Sequence, residues 1–177
     1  SLRYFWSLNK FIFGESFYGY LLIPFFYSGI IFYIFKYIVG IRWALFITIV
    51  NFYTNAFDGY ALPNIKLLNH INVGHAEPLA IFFILLSLLI LLMFIYNKIN
   101  CSLKFYNFLF GFFLFLGVTL RPDYLPSAFV LVCALVFYNY YFHKIFFSSF
   151  IAIIGFLFIF LIPFHNYYYG NAYVLFT

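Results

Sequence analysis

Long unbroken apolar runs, separated by short polar breaks, set the pattern of this chain, and none alternates with the period of a half-buried strand. Four runs come close to the roughly 20 residues that a helix needs to cross about 30 Å of hydrocarbon. They are Phe17 to Phe35, Pro78 to Tyr96, Tyr124 to Phe142 and Ile145 to Phe164. Ile41 to Tyr53 and Phe105 to Leu120 are shorter, and reading both as crossings makes the connections alternate sides consistently. In hydrocarbon every backbone N–H and C=O must be satisfied within its own element, which leaves helices and closed barrels. Continuous rather than alternating runs predict helices. The expected fold is all-α: a single polytopic transmembrane helical bundle over residues 1–177, with about six membrane helices.

The charges fall between these runs. With six crossings, Lys36 and Arg42 share one connection, Lys98 and Lys104 the next on that side, and Lys144 the third, so five of the nine basic residues occupy one face. The positive-inside rule makes that face cytoplasmic. The opposite face receives all four acids, Glu15, Asp58, Glu77 and Asp123, together with Lys66, Arg121, His70, His75 and His165. Chemistry is therefore expected at the outer face. The formal net charge of +5 is carried by single residues between apolar runs. That is a topology signal rather than a phosphate-tracking patch, and nucleic acid is not an expected partner.

Composition supports a lipid environment: 67% of residues are hydrophobic and 7% charged, against about 25% charged in soluble domains. The 31 Phe and 18 Tyr invite a sugar-stacking reading, but they accompany Ile, Asn and Lys, which share AT-rich codons, so single aromatics carry no weight here. Cys101 and Cys133 form no CxxC pair, and no His cluster has metal-ligand spacing, so neither a disulfide framework nor a zinc site is expected, and a requirement for a divalent metal is left open. The first apolar run is too long for a signal-peptide core and lacks a small-residue cleavage site. A start at Ser1 without Met, and an end at Thr177 just after an apolar run, lead to the expectation of a fragment of a longer protein.

Three outer segments hold candidate chemistry. Thr54 to Glu77 is the longest polar stretch, and Ile65, Leu67, Leu68 and Ile71 within it have the spacing of a short interfacial helix. A plain connecting loop accounts for it equally well. Glu77 precedes Pro78, which suits the first helical position, and a carboxylate there gains about 0.3–1 kcal/mol from the helix dipole. A cap and a functional carboxylate are both open. Thr119-Leu120-Arg121-Pro122-Asp123 is squeezed between two apolar runs. An arginine before a helix N-terminus can bind an anion, above all a phosphate, with the help of free amides; pairing with Asp123 or reaching to headgroups are the alternatives. His165 to Asn171 is an aromatic and polar turn that fits an interfacial anchor or a sugar pocket.

Gly74 to Leu92, GHAEPLAIFFILLSLLILL, and Phe105 to Val132, FYNFLFGFFLFLGVTLRPDYLPSAFVLV, together resemble the multispanning glycosyltransferases of the GT-C class. The shared order is a carboxylate before an apolar helix, a short basic turn, then a glycine-containing helix ending in a motif like LxRP(E/D). The resemblance implies a bacterial inner-membrane, mannosyltransferase-like hexosyltransferase, with a polyprenyl-phosphate sugar as donor, an acceptor hydroxyl at the outer face, and membrane lipid as surroundings. The class uses an acidic residue of its first outer loop as base, which cannot be placed here if, as expected of a fragment, the amino-terminal part is missing. Among the residues present, Asp58 and Glu77 are the candidate bases, since a base must reach the acceptor hydroxyl. Arg121, followed by His165, Lys66 and His75, is the candidate group for the lipid phosphate, where charge develops.

Two other classes remain open. A lipid-linked sugar flippase or secondary transporter also needs many crossings, and Gly111, Gly117 and Gly155 inside the runs keep it in play. Transporters, however, tend to place ionisable groups at mid-helix, and here all four acids lie at the ends. A noncatalytic membrane subunit would need the apolar runs but no outer carboxylate. The sequon Asn100-Cys101-Ser102 falls on the expected cytoplasmic side.

Overall fold

The computed structural model describes residues 7, 10–14, 18–53, 77–96, 103–143, 148–157 and 168. Among the described residues the secondary structure is helical, as the continuous apolar runs require. The helices are α1 (Tyr18–Val39), α2 (Ile41–Tyr53), α3 (Glu77–Ile95), α4 (Leu103–Leu120), α5 (Leu125–Tyr138) and α6 (Ser148–Phe156). A 3-10 turn, Pro122–Tyr124, leads into α5, and a π-helical turn, Asn139–His143, leads out of it.

Leu103–Leu120 and Pro122–Phe142 are long and apolar enough to cross a membrane, while Phe26–Val39, Ile41–Asn51 and Leu79–Ile95 are shorter apolar stretches. The expected six crossings thus reduce, among the described residues, to two helices that meet the requirement. The 13 residues of α2 rise only about 20 Å at 1.5 Å per residue. That is short of the hydrocarbon thickness.

Between α1 and α2 the chain turns at Gly40, whose φ of +88° lies in the left-handed region. The Ala44 N–H donates back to the Gly40 carbonyl at 3.0 Å, starting the next helix at once. A side chain in the left-handed region costs about 1–2 kcal/mol. Gly40→Ala should therefore lower stability by about that amount; an unchanged unfolding midpoint in detergent would refute a strained turn.

Helices α3 and α4 pack antiparallel. Phe83 stacks on Phe113 with centroids 6.1 Å apart, and the buried Ser87 hydroxyl, bonded to the Phe83 carbonyl at 3.0 Å, also faces the Phe110 carbonyl at 3.5 Å. Phe110, Leu114 and Val118 of α4 are almost fully buried and share a cluster with Ile90, Leu91 and Phe94 of α3 and Ala128 and Leu135 of α5. Helix α1 joins through Ile30 and Ile34 against Leu89.

The most intimate contact is between α4 and α6. A Cβ on Gly111 would overlap the Ala152 carbonyl oxygen, and one on Gly155 would sit 2.6 Å from the Phe108 carbonyl oxygen and 2.8 Å from the Phe112 nitrogen. The backbones touch, as small residues allow where helices pack without large side chains between them. Nearby, buried Asn139 Nδ2 donates to Ser149 Oγ at 3.0 Å, tying the π-helical turn to the start of α6. Asn139 Oδ1 is buried without a partner.

Candidate functional site

Two ends of the bundle differ in chemistry. At one end Tyr37 of α1 stacks on Tyr96 just beyond α3, centroids 5.4 Å apart, and the Tyr138 hydroxyl of α5 donates to the Ile95 carbonyl at 3.2 Å. Lys36, lying 5.4 Å from the Tyr33 ring, Arg42 after the Gly40 turn and Lys104 in the first turn of α4 belong to this end, and all three are exposed.

At the other end α4 gives way to α5. The Arg121 N–H donates to the Gly117 carbonyl at 3.1 Å, the last such bond of α4. Arg121 is extended, φ −145° and ψ 102°, because the following proline disfavours the helical region for the residue before it. Pro122 starts the 3-10 turn; the Tyr124 N–H donates to the Arg121 carbonyl at 3.2 Å, and the Leu125 N–H to the Pro122 carbonyl. Those two amides, expected as free donors beside Arg121, are thus engaged within the turn, and Pro122 has none.

Arg121 Nη2 lies 3.2 Å from Asp123 Oδ2, with the side chains 41% and 77% exposed. A charge-assisted bond of this type is usually 2.7–2.9 Å, and exposed pairs contribute about 0–1 kcal/mol. The ion pair is weak. Arg121 Nε, in contrast, is buried and has no acceptor.

Glu77 is the first residue of α3. A Cβ on Gly117 would lie 3.2 Å from the Ala80 carbonyl oxygen and 2.8 Å from Ile84 Cδ1, which places the start of α3 beside the end of α4. Glu77 is three residues before Ala80 and Arg121 four after Gly117, so the two backbones are about 4.5 and about 6 Å along the chain from that contact. Two elements therefore converge at this end: the start of α3 and the Arg121–Asp123 turn.

Asp58, Lys66, His75 and His165 lie outside the described residues, as does the stretch from Ile65 to Ile71. Among the described residues no three His, Cys, Asp or Glu side chains come together as a metal-binding group. Sequence reasoning passed over the buried polar residues Ser87, Asn107, Asn139 and Ser149. Their signal was available in part: Ser87, Asn107 and Asn139 are each a single polar residue among apolar and aromatic neighbours, and Ser149 stands beside Ser148. No family model, curated protein or solved structure matches this chain.

Proposed function

We propose that this protein is an integral-membrane glycosyltransferase that moves a sugar from a polyprenyl-phosphate donor to an acceptor hydroxyl, at the membrane face opposite Lys36, Arg42 and Lys104. Embedding in lipid is supported by helix α5, where Phe129, Val130 and Phe137 are 68%, 64% and 66% exposed. In water that much bare apolar surface is strongly unfavourable, at about 25 cal/mol per Å². In a bilayer it is solvated by acyl chains, and six crossings would alternate the connections as the charges do.

The observation that carries the catalytic reading is the convergence at one end of the bundle of the Glu77 helix start and the Arg121-Pro122-Asp123 turn, with Lys36, Arg42 and Lys104 at the other. In this mechanism Glu77 or Asp58 takes the proton of the acceptor hydroxyl as its oxygen attacks the sugar's anomeric carbon. The bond to the lipid phosphate breaks, and the leaving phosphate carries the charge. Arg121 stabilises it electrostatically, with Lys66, His75 and His165 as further groups of that face.

Single cysteines at Asn64, Asp123 and Asn171, in a background with Cys101 and Cys133 replaced by serine, test the layout. All three should react with a membrane-impermeant thiol reagent in intact cells, and cysteines at Lys36 and Lys104 should be protected. Opposite behaviour of Asn64 and Asn171 would sink the six-crossing arrangement and with it the one-sided site.

A further inference from the structure

We propose that the turn between α1 and α2 holds an anionic phospholipid: Lys36 and Arg42 take its headgroup, and the bare apolar flank of the two helices takes an acyl chain. This inference rests on the reading of the chain as embedded in lipid and is independent of sugar transfer.

Charge sets the headgroup. Lys36 lies in the last turn of α1 and Arg42 is the second residue of α2, so the turn at Gly40 brings both cations to one end of the helix pair. Both are exposed. The described acids, Glu77 and Asp123, stand at the opposite end, and the ion pair there is with Arg121; Lys36 has the Tyr33 ring, 5.4 Å away, as its neighbour. A cation at a membrane surface favours an acidic lipid by about fivefold. A zwitterionic headgroup carries its own cation and gains little. The apolar residues set the class of partner. Ile38, Val39 and Ile41 stand between the two cations in the chain, and with Trp43 and Phe46 they are exposed. A soluble acidic partner would meet the charges and leave that surface bare, whereas a phospholipid covers both. Trp43, 6.0 Å from Phe46 between ring centroids, adjoins Arg42 as an interfacial tryptophan would. The Tyr37–Tyr96 stack and the bond from Tyr138 to the Ile95 carbonyl hold the ends of α1, α3 and α5 level here, which gives the surface a fixed depth.

Trp43 itself reports the lipid. With Trp6→Phe it is the sole tryptophan of the chain, and the protein is reconstituted in vesicles of phosphatidylcholine and phosphatidylglycerol in which one lipid or the other carries brominated chains. Quenching in vesicles of brominated phosphatidylcholine alone should occur for every variant and shows contact with lipid; its absence in the parent would overturn the membrane reading and this proposal with it. In the mixtures, phosphatidylglycerol should be favoured over phosphatidylcholine at Trp43 by about fivefold, the weight of one cation, because quenching averages over all lipids around the ring. Lys36→Gln with Arg42→Gln should abolish the preference and leave quenching by phosphatidylcholine alone unchanged. Lys104→Gln, at the same end but on α4, should retain it. No preference in the parent overturns the proposal while the membrane reading stands, and so does a preference that survives the double variant. An equal loss with Lys104→Gln would mean a diffuse field of the basic end, and it overturns the assignment to this turn.

Discussion

Gly111→Ala and Gly155→Ala should each destabilise the protein by about 3 kcal/mol, the upper range for overpacking a tight site. The added methyl has no flexible neighbour to displace. At Gly111 it meets the Ala152 carbonyl, and at Gly155 it meets the Phe108 carbonyl oxygen and Phe112 nitrogen at 2.6 and 2.8 Å. All of these are backbone atoms held in helical hydrogen bonds, so relief requires α4 and α6 to separate as whole helices. Separation would also stretch the Asn139–Ser149 hydrogen bond at the start of α6. The contrast is Gly29→Ala in α1, where a Cβ meets nothing within 4 Å; helix propensity then favours alanine by about 0.5–1 kcal/mol. Unfolding by SDS titration in mixed micelles reads both. Equal midpoints for the Gly111 and Gly155 variants and the parent would mean that the helices do not cross at these residues.

For the proposed reaction, Arg121→Ala should lower kcat for sugar transfer about 10²-fold, the usual effect of removing one group aimed at a developing oxyanion. Its weak ion pair with Asp123 contributes little to stability, so the unfolding midpoint should stay where it is. Loss of rate without loss of fold is the expected signature. Asp58→Ala and Glu77→Ala belong in the same assay, because only the acting base should match Arg121→Ala in severity. Unchanged transfer in all three variants would remove the catalytic proposal and leave a noncatalytic membrane subunit as the better reading.

Much of the architecture is legible in the residues. Apolar runs without alternation leave the backbone one way to satisfy itself, and α3 and α4 lie within two residues of the expected Pro78 to Tyr96 and Phe105 to Leu120. Pro122 marks a helix start through local backbone sterics, whereas the left-handed turn at Gly40 was not anticipated. The end of α5 was harder to read. The expected helix from Tyr124 to Phe142 instead opens with a 3-10 turn and widens into a π-helical one at Asn139. At Asn139 the backbone N–H donates to both the Leu135 and Val136 carbonyls, a local irregularity that composition does not announce.

The candidate site was legible in part for the same reason. Arg121-Pro122-Asp123 stands out because charges between apolar runs are few, and proline dictates the extended backbone at Arg121. Whether Arg121 meets Asp123 or an external anion is a matter of rotamers within a few residues, which letter order does not contain. Gly111, Gly117 and Gly155 looked like breaks along a transport path, yet all three lie where another helix leaves no room for a Cβ.

The chain by itself determined the helical class and the helix start at Pro122, because each follows from how the backbone must satisfy itself or from local sterics. Tertiary structure decided the faces. Helix α3, EPLAIFFILLSLLILLMFI, is apolar between its ends except for Ser87, so no stripe of residues identifies the side that meets α4. Shape makes the choice instead: Ala80 and Ile84 meet the small Gly117, and the backbones of α4 and α6 meet at Gly111, Ala152 and Gly155. Where every surface is greasy, it is the closeness of fit, visible only in three dimensions, that selects the partner.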